Sequence, residues 1–506
     1  MKAIHSIIVP ILGAGALASW RAWHLGFVAD DTFIGLRYVR HLLAGNGFVY
    51  NVGERVEGYS NLGWLLALLP FGAMGADLVV VSRWLGFACG LATVALAVRV
   101  AGDLAPTATA AWARWTAGLF VAVSVPFASW STAGMETPLF ALLAVGIAAA
   151  AMNERFGALA AGALAGAAAL TRPEGVLLGP IAIAFAACQA GPSNRSRRAI
   201  ATATPWAVLV ISQLAFRQLY YGEWVPNTFH AKVGDFSVQL LTRGLDYIVL
   251  FARENGALAL FLAPLIAAGW RRDVAWWRVF ALLWTLVVCI VLVGGDGLPM
   301  YRFAAHVVPL WAVLAGVLVA DLAQLRGLAT RVVASVSAGV AVVLSALGPP
   351  EDSIQRALYV AQKSYEVPVW TAAGKWLREA SRPGDSVACV PIGAIGWYSE
   401  LPLIDMLGLT DAHIARVDAP TGTGFAGHEK HDGPYVLSRE PTFLLLGNVN
   451  VSAVRLPRQH PEFVRISHPR VKEREGDIYV PELRRNYRRA VADLGNGLYL
   501  HYLRRR

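Results

Sequence analysis

Two adjacent carboxylates, Asp30 and Asp31, stand in FVADDTFIGLRYVR, just after the first apolar run of the chain. A positioned carboxylate can take the proton of a hydroxyl, which is a poor nucleophile while it keeps that proton. Such chemistry also needs a partner for the leaving group. Three cations sit in comparable polar stretches: Arg172 in TRPEG, Lys232 in YYGEWVPNTFHAK and Arg302 in GGDGLPMYRF. A guanidinium or ammonium beside a departing phosphate stabilises its developing charge. Transfer from a phosphate ester to an alcohol therefore accounts for both sets. Glu57, Tyr59 and Asn61 in GERVEGYSN, Glu136 in STAGMETP, Asn227 and Asp296 are further residues suited to binding a sugar or acceptor, or to scaffolding. Each residue also has a plainer reading. Acids at a helix start complement its dipole, EGYSN is turn-forming, arginines at helix ends reach headgroups, and Asp296 can simply pair with Arg302.

What must position these residues follows from composition. The 506 residues are 56% hydrophobic and 15% charged, with mean hydropathy +0.49 and net charge +10. Soluble domains average about 25% charged residues, so this is a membrane protein. In that setting the positive charge marks loops and headgroup contacts rather than nucleic acid. Cys89, Cys188 and Cys289 lie inside apolar runs, and together with Cys389 they form neither a disulfide framework nor a metal-ligand spacing.

Apolar runs of spanning length fall at 4–20, 80–99, 115–130, 137–152, 156–171, 175–190, 200–219, 246–268, 276–293, 303–321 and 331–348, about eleven transmembrane helices. The run 62–76 is short and contains Pro70, so it reads as interfacial or re-entrant. With the N-terminus inside, Lys2, Arg114, Arg155, Arg195, Arg197, Arg198, Arg271, Arg272 and Arg326 all fall on the cytoplasmic side. The run 4–20 reads as a first span, lacking a basic leader region and a clear cleavage site. This topology makes 21–79 the first outside loop, and every polar motif above lands on that outer face. PPEDS ends the last span, and 350–506 reads as an extracytoplasmic soluble α/β domain. SVACV and LPLID look like short buried strands around a Gly-rich turn, and 369–381 and 482–494 look helical. GHEKHDG, with His428, His431 and Asp432, reads as a solvated loop rather than a metal site. Nucleotide-binding fingerprints are absent from the sequence, which favours a lipid-phosphate donor over a nucleotide sugar.

These motifs bring a family into view. The sequence resembles the GT-C glycosyltransferases, polytopic α-helical membrane enzymes with an acidic motif in the first outside loop. ADDTFIGLRYVRHLLAGNGFVYNVGERVEGYSNLGW is similar to bacterial arabinofuranosyltransferases, those of mycobacterial cell-wall termini and of pilin. GMETPLF, TRPEG, YYGEWVPNTFHAK, GGDGLPMYRF and DMLGLTDAHIA support it. The resemblance implies a GT-C transmembrane catalytic domain over 1–349 and an extracytoplasmic α/β domain over 350–506. It implies a polyprenyl-phosphate-linked donor, with D-arabinofuranose the first guess and mannose or aminoarabinose the runner-up. The acceptor would be a glycan or protein outside the bacterial inner membrane. It carries the base role to Asp30, with Asp31 orienting the acceptor or binding sugar, and the phosphate role to Arg302, then Arg172 and Lys232. It names no certain cofactor, no metal ligand in the chain, and leaves a divalent cation open. A transporter would instead place ionisable groups near the bilayer midplane and show internal repeats. A scaffold would have no use for paired acids facing outer cations.

Overall fold

The computed structural model describes residues 2–150, 152, 157–232, 237–255, 264–265, 267–324, 327–419, 422, 424–457 and 476–506. Among these, five helices are long and apolar enough to cross a membrane: His5–Leu25, Leu78–Leu104, Pro192–Tyr221, Val274–Leu292 and Ala329–Leu347. Thr137–Ala150, Gly157–Thr171, Pro173–Gln189 and Val308–Gln324 are shorter apolar helices at expected spans. The protein is a multi-pass membrane protein.

Local chemistry sets the helix ends. Asp77 accepts from the amides of Val79 and Val80, and Asp273 from that of Trp276, so each caps the helix that follows it. Gly222, at φ 77°, closes the Arg195–Tyr221 helix in the left-handed conformation that lacks a Cβ penalty. Small residues allow close packing: a Cβ on Gly162 would strike the Thr202 carbonyl of the neighbouring helix. A single large core runs through the bundle, from Ala14 through Phe140 and Trp276 to Trp311.

Several expected bounds shift. The span at 115–130 divides into Ala110–Val123 and Val125–Trp130, because Pro126 cannot continue the earlier helix. The span at 303–321 begins with a separate turn, Arg302–Ala305, before Val308–Gln324. The interfacial run at 62–76 is the helix Leu62–Ala73. The span at 246–268 lies partly outside the described residues, as do Arg155 and Arg326.

Beyond Leu347 the chain turns into a layered α/β unit. Strands β1 (Val387–Cys389), β2 (Leu403–Asp405) and β3 (Phe443–Leu445) pair in parallel in the order β2-β1-β3. The strands β4 (Val451–Ser452), β5 (Tyr487–Gly495) and β6 (Leu498–Arg505) complete the sheet, with β6 antiparallel to all its neighbours. The helix Val367–Ala380 stands at the expected place. The other expected helix, 482–494, is a correction: only Pro481–Asn486 is helical, and β5 follows. Antiparallel pairing with β6 along the hairpin overrides the local helical pattern. PIGAIG also differs, since Gly393–Ser399 is a helix linking β1 to β2.

This unit does not stand apart. One apolar cluster joins Phe33, Leu36, Tyr38 and Trp64 of the 26–77 segment to Trp370, Val387, Ile395 and Phe443 of the α/β unit.

Candidate active site

A cavity of about 550 Å³ opens between the 26–77 segment, the helix ends and the α/β unit. Its charged lining is Asp31, Glu136, Arg172, Glu174, Arg217, Lys232, Arg243, Asp296 and Arg302. Its other flank is apolar, built from Val176, Val210, Leu214, Ile290, Leu292, Trp224 and Phe229. Val210 and Leu214 belong to Pro192–Tyr221, an apolar helix of spanning length that the rest of the protein leaves largely uncovered.

The Asp30–Leu43 helix carries both acids of the opening motif, but it separates them. Successive helical residues point about 100° apart. Asp31 lines the cavity, and its Oδ2 lies 3.7 Å from Nη1 of Arg302. Asp30 is turned away and buried. Its Oδ2 accepts from the Gly393 amide at 2.9 Å and its Oδ1 from the Ala394 amide at 2.7 Å. Burial pushes its carboxyl up to about 7, against the pull of those two amides, with Asp31 adding a smaller push. Asp30 therefore belongs to the contact with the α/β unit, and the base role expected for it does not fit its position.

Arg302 is placed by a strained loop. Met300 and Tyr301 hold φ of 53° and 50°, unusual for residues with a side chain. The strain is held by neighbours: Trp130 Nε1 donates to the Pro299 carbonyl at 3.0 Å, and the Tyr301 hydroxyl to Glu254 at 2.6 Å. Arg302 then donates to both oxygens of Asp296, at 2.7 and 3.0 Å. Asp296, Glu136 and Asp31 together hold its guanidinium in the charged form against the cost of burial. Arg172 donates to Glu136 at 2.8 Å and to Glu174, and Asn61 donates to the other oxygen of Glu136 at 3.0 Å. Burial raises the Glu136 carboxyl, yet Arg172 and Arg302 outweigh it and hold it below the usual range. Lys232 makes no hydrogen bond or ion pair among the described residues, and its stem rests beside Gly427.

The remaining expected residues divide. Tyr59 and Asn61 line the cavity. Glu57 does not: it accepts a two-pronged contact from Arg217, at 2.6 and 3.1 Å, and is buried behind the wall. Asn227 is also structural, donating to the carbonyls of Gly408 and Leu409 at 2.8 and 3.0 Å. It fixes the turn that brings Leu409 to the cavity. That turn is built by Asp405, which accepts from the amides of Leu407, Gly408 and Thr410. Arg243, unremarked in the sequence, lines the cavity and ties Gly294 to Glu429. Arg217 had a signal: it is the lone charge in the second half of a long apolar helix. Among the described residues no group of three His, Cys, Asp or Glu side chains is arranged for a metal. In GHEKHDG, His431 instead contacts Asp477 at 3.1 Å, and the Asp432 carboxylate lies 2.8 Å from the His413 ring.

Comparison with known proteins now has a geometry to meet. Residues 355–495 match a family described as a domain of unknown function, DUF8728. A terminal beta-(1->2)-arabinofuranosyltransferase of Mycobacterium tuberculosis is 31% identical over 266 residues, covering 49% of this chain and 41% of that protein. The protein of the same description from Corynebacterium glutamicum is 51% identical over 53 residues, 10% of this chain and 8% of its own length. The matched stretch thus spans about two fifths of the longer-matching relative. Among solved structures, ArnT from Cupriavidus metallidurans bound to undecaprenyl phosphate superposes with TM-score 0.50 at 12% identity, covering 79% of this chain and 86% of that one. The Archaeoglobus fulgidus oligosaccharyltransferase in complex with Zn and sulfate gives TM-score 0.50 at 13% identity, covering 78% and 62%. The chain has the GT-C fold. The expected resemblance to arabinofuranosyltransferases is borne out by the curated relatives. Within this GT-C fold the Asp30–Leu43 helix, the loop carrying Arg302 and the 405–411 turn border one cavity.

Proposed function

We propose that the protein is a polyprenyl-phosphate-dependent glycosyltransferase that moves D-arabinofuranose to a glycan or protein acceptor on the extracytoplasmic side of the bacterial inner membrane. The observation that carries this is the two-sided cavity. Acids and cations, among them Asp31, which makes no hydrogen bond among the described residues, and Lys232, share the cavity with apolar side chains of the Pro192–Tyr221 helix. A sugar joined through phosphate to a long apolar chain has the same division. The curated relatives' names support arabinofuranose, and the ArnT complex with undecaprenyl phosphate supports the class of donor.

In this reading Asp31 takes the proton of the acceptor hydroxyl as that oxygen attacks the anomeric carbon. The bond from that carbon to the phosphate oxygen breaks, and polyprenyl phosphate leaves with the bonding pair. Lys232 meets its charge, since Arg172 and Arg302 are already held by acids. Tyr59 and Asn61 border the sugar. Asp296 and Glu136 orient the arginines.

The test uses full-length protein in nanodiscs, radiolabelled decaprenyl-phosphoryl arabinofuranose and an arabinan acceptor. Transfer by wild type that Asp31→Asn loses and Asp30→Asn keeps is the expected result. Equal loss in both returns the base role to Asp30. Transfer of mannose or aminoarabinose but not arabinofuranose by wild type keeps the class and changes the sugar.

A further inference from the structure

Asp31, Glu136, Glu174 and Asp296 are the oxygen donors that a divalent cation in the cavity would need. Mg²⁺ takes near-octahedral oxygen coordination at about 2.0–2.1 Å, usually through one or two carboxylates, water and substrate phosphate. Most of those oxygens are already engaged. Both oxygens of Asp296 accept from Arg302, at 2.7 and 3.0 Å. Both oxygens of Glu136 accept, one from Arg172 at 2.8 Å and one from Asn61 at 3.0 Å. Glu174 accepts from Nε of Arg172. Asp31 alone has no hydrogen bond among the described residues, and it faces Nη1 of Arg302 at 3.7 Å.

Arg302 is not free to leave. It is 5% exposed, with its guanidinium 4.9 Å from the Phe303 ring centre and 5.9 Å from that of Trp130. Arg172 stands 4.5 Å from the same Phe303 ring. A dication among these acids would sit beside two buried guanidiniums, where like charges repel strongly because little water screens them. A cation held by Asp296 would also have to break its two-pronged contact with Arg302, which is among the stronger ion pairs.

We infer that Arg302 holds the place of a divalent cation in this site, so that transfer runs without metal. Its guanidinium gathers Asp31 and Asp296 as a metal would, but from the protein's own chain. Asp31 keeps a free oxygen for the acceptor hydroxyl because its contact with Arg302 is long. The inference rests on the transferase reading above, and it makes a statement about metal that can be read separately.

The experiment uses full-length wild type in nanodiscs, stripped with EDTA and titrated with Mn²⁺ under electron paramagnetic resonance. Transfer is measured in parallel with EDTA and with Mg²⁺ or Mn²⁺ restored. The expected result is no stoichiometric Mn²⁺ binding and an unchanged rate in EDTA. One equivalent of bound Mn²⁺ that Asp31→Asn or Asp296→Asn abolishes would overturn it. So would transfer that EDTA stops and Mn²⁺ restores. The titration needs no donor, so bound Mn²⁺ would overturn the inference even where the sugar or the transfer reading fails.

Discussion

The 26–77 segment has two sides, and they do opposite work with the same kinds of residue. On one side Asp30, Arg37 and Arg40 are saturated by the α/β unit. Arg37 donates to the carbonyls of Tyr50, at 2.8 Å, Leu401, at 2.7 Å, and Gly396. Arg40 donates to Trp397 and lies 3.3 Å over its ring. Asn51 joins the edge of β2, donating to the Leu403 carbonyl and accepting from its amide. On the other side Asp31 keeps its acceptor capacity and faces a cavity. Saturated polar groups fasten elements together, while unsaturated ones beside a cavity are left for a ligand.

The largest expected effect lies on the open side. Asp31→Asn lowers the transfer rate about 10²- to 10⁴-fold and leaves the melting temperature nearly unchanged, because Asp31 makes no hydrogen bond among the described residues and its contact with Arg302 is long. A melting temperature that falls with the rate would erase the distinction between the sides. On the fastened side, Arg37→Met orphans three buried carbonyls. Each costs about 1–3 kcal/mol, so thermal unfolding and proteolysis of the α/β unit both begin earlier. Unchanged stability would show that the interface does not depend on Arg37.

Lys232→Gln sharpens the open side further. Losing one charge-assisted contact of about 1.5–3 kcal/mol raises the donor KM roughly 10- to 100-fold, with stability unaltered. A drop in kcat at constant KM would instead place Lys232 only in the transition state.

The smallest effect is a pH slope. Asp30 is raised from 3.8 to about 7, so the folded state holds its proton more tightly than the unfolded chain does. Its stabilising contribution is full below about pH 4 and is lost as pH rises toward 7. Subtracting the melting profile of Asp30→Asn from that of wild type should reveal this slope. A flat difference between pH 4 and 7 would mean that the two amides keep the carboxyl ionised.

Much of this was legible in order and kind but not in direction. Apolar length marked Leu78–Leu104 and Val274–Leu292 closely, because a spanning helix must satisfy its own backbone whatever surrounds it. SVACV and LPLID were readable as strands because they are continuous, fully buried apolar runs. The helix expected at 482–494 failed where hairpin pairing with β6, from Leu498 onward, decided the conformation. Within the site, Arg302, Arg172, Lys232, Asn61, Tyr59, Glu136 and Asp296 were found by type and motif. Glu57 and Asn227 have the same types but lie behind the wall, and Arg243 carries no local motif to mark it.

By itself the sequence determined that the chain is a membrane protein, where its apolar helices run, and that acids and cations gather in a few polar loops. These follow from residue type and from periodicity along the chain, which are local. Only the tertiary structure decided which of two neighbouring aspartates faces the cavity. Asp30 meets the amides of Gly393 and Ala394, more than 360 residues away, and a Cβ at Gly393 would run into it. That contact turns the helix and leaves Asp31 to Arg302, since a hydrogen bond is directional and a buried carboxylate must be satisfied where its donors are.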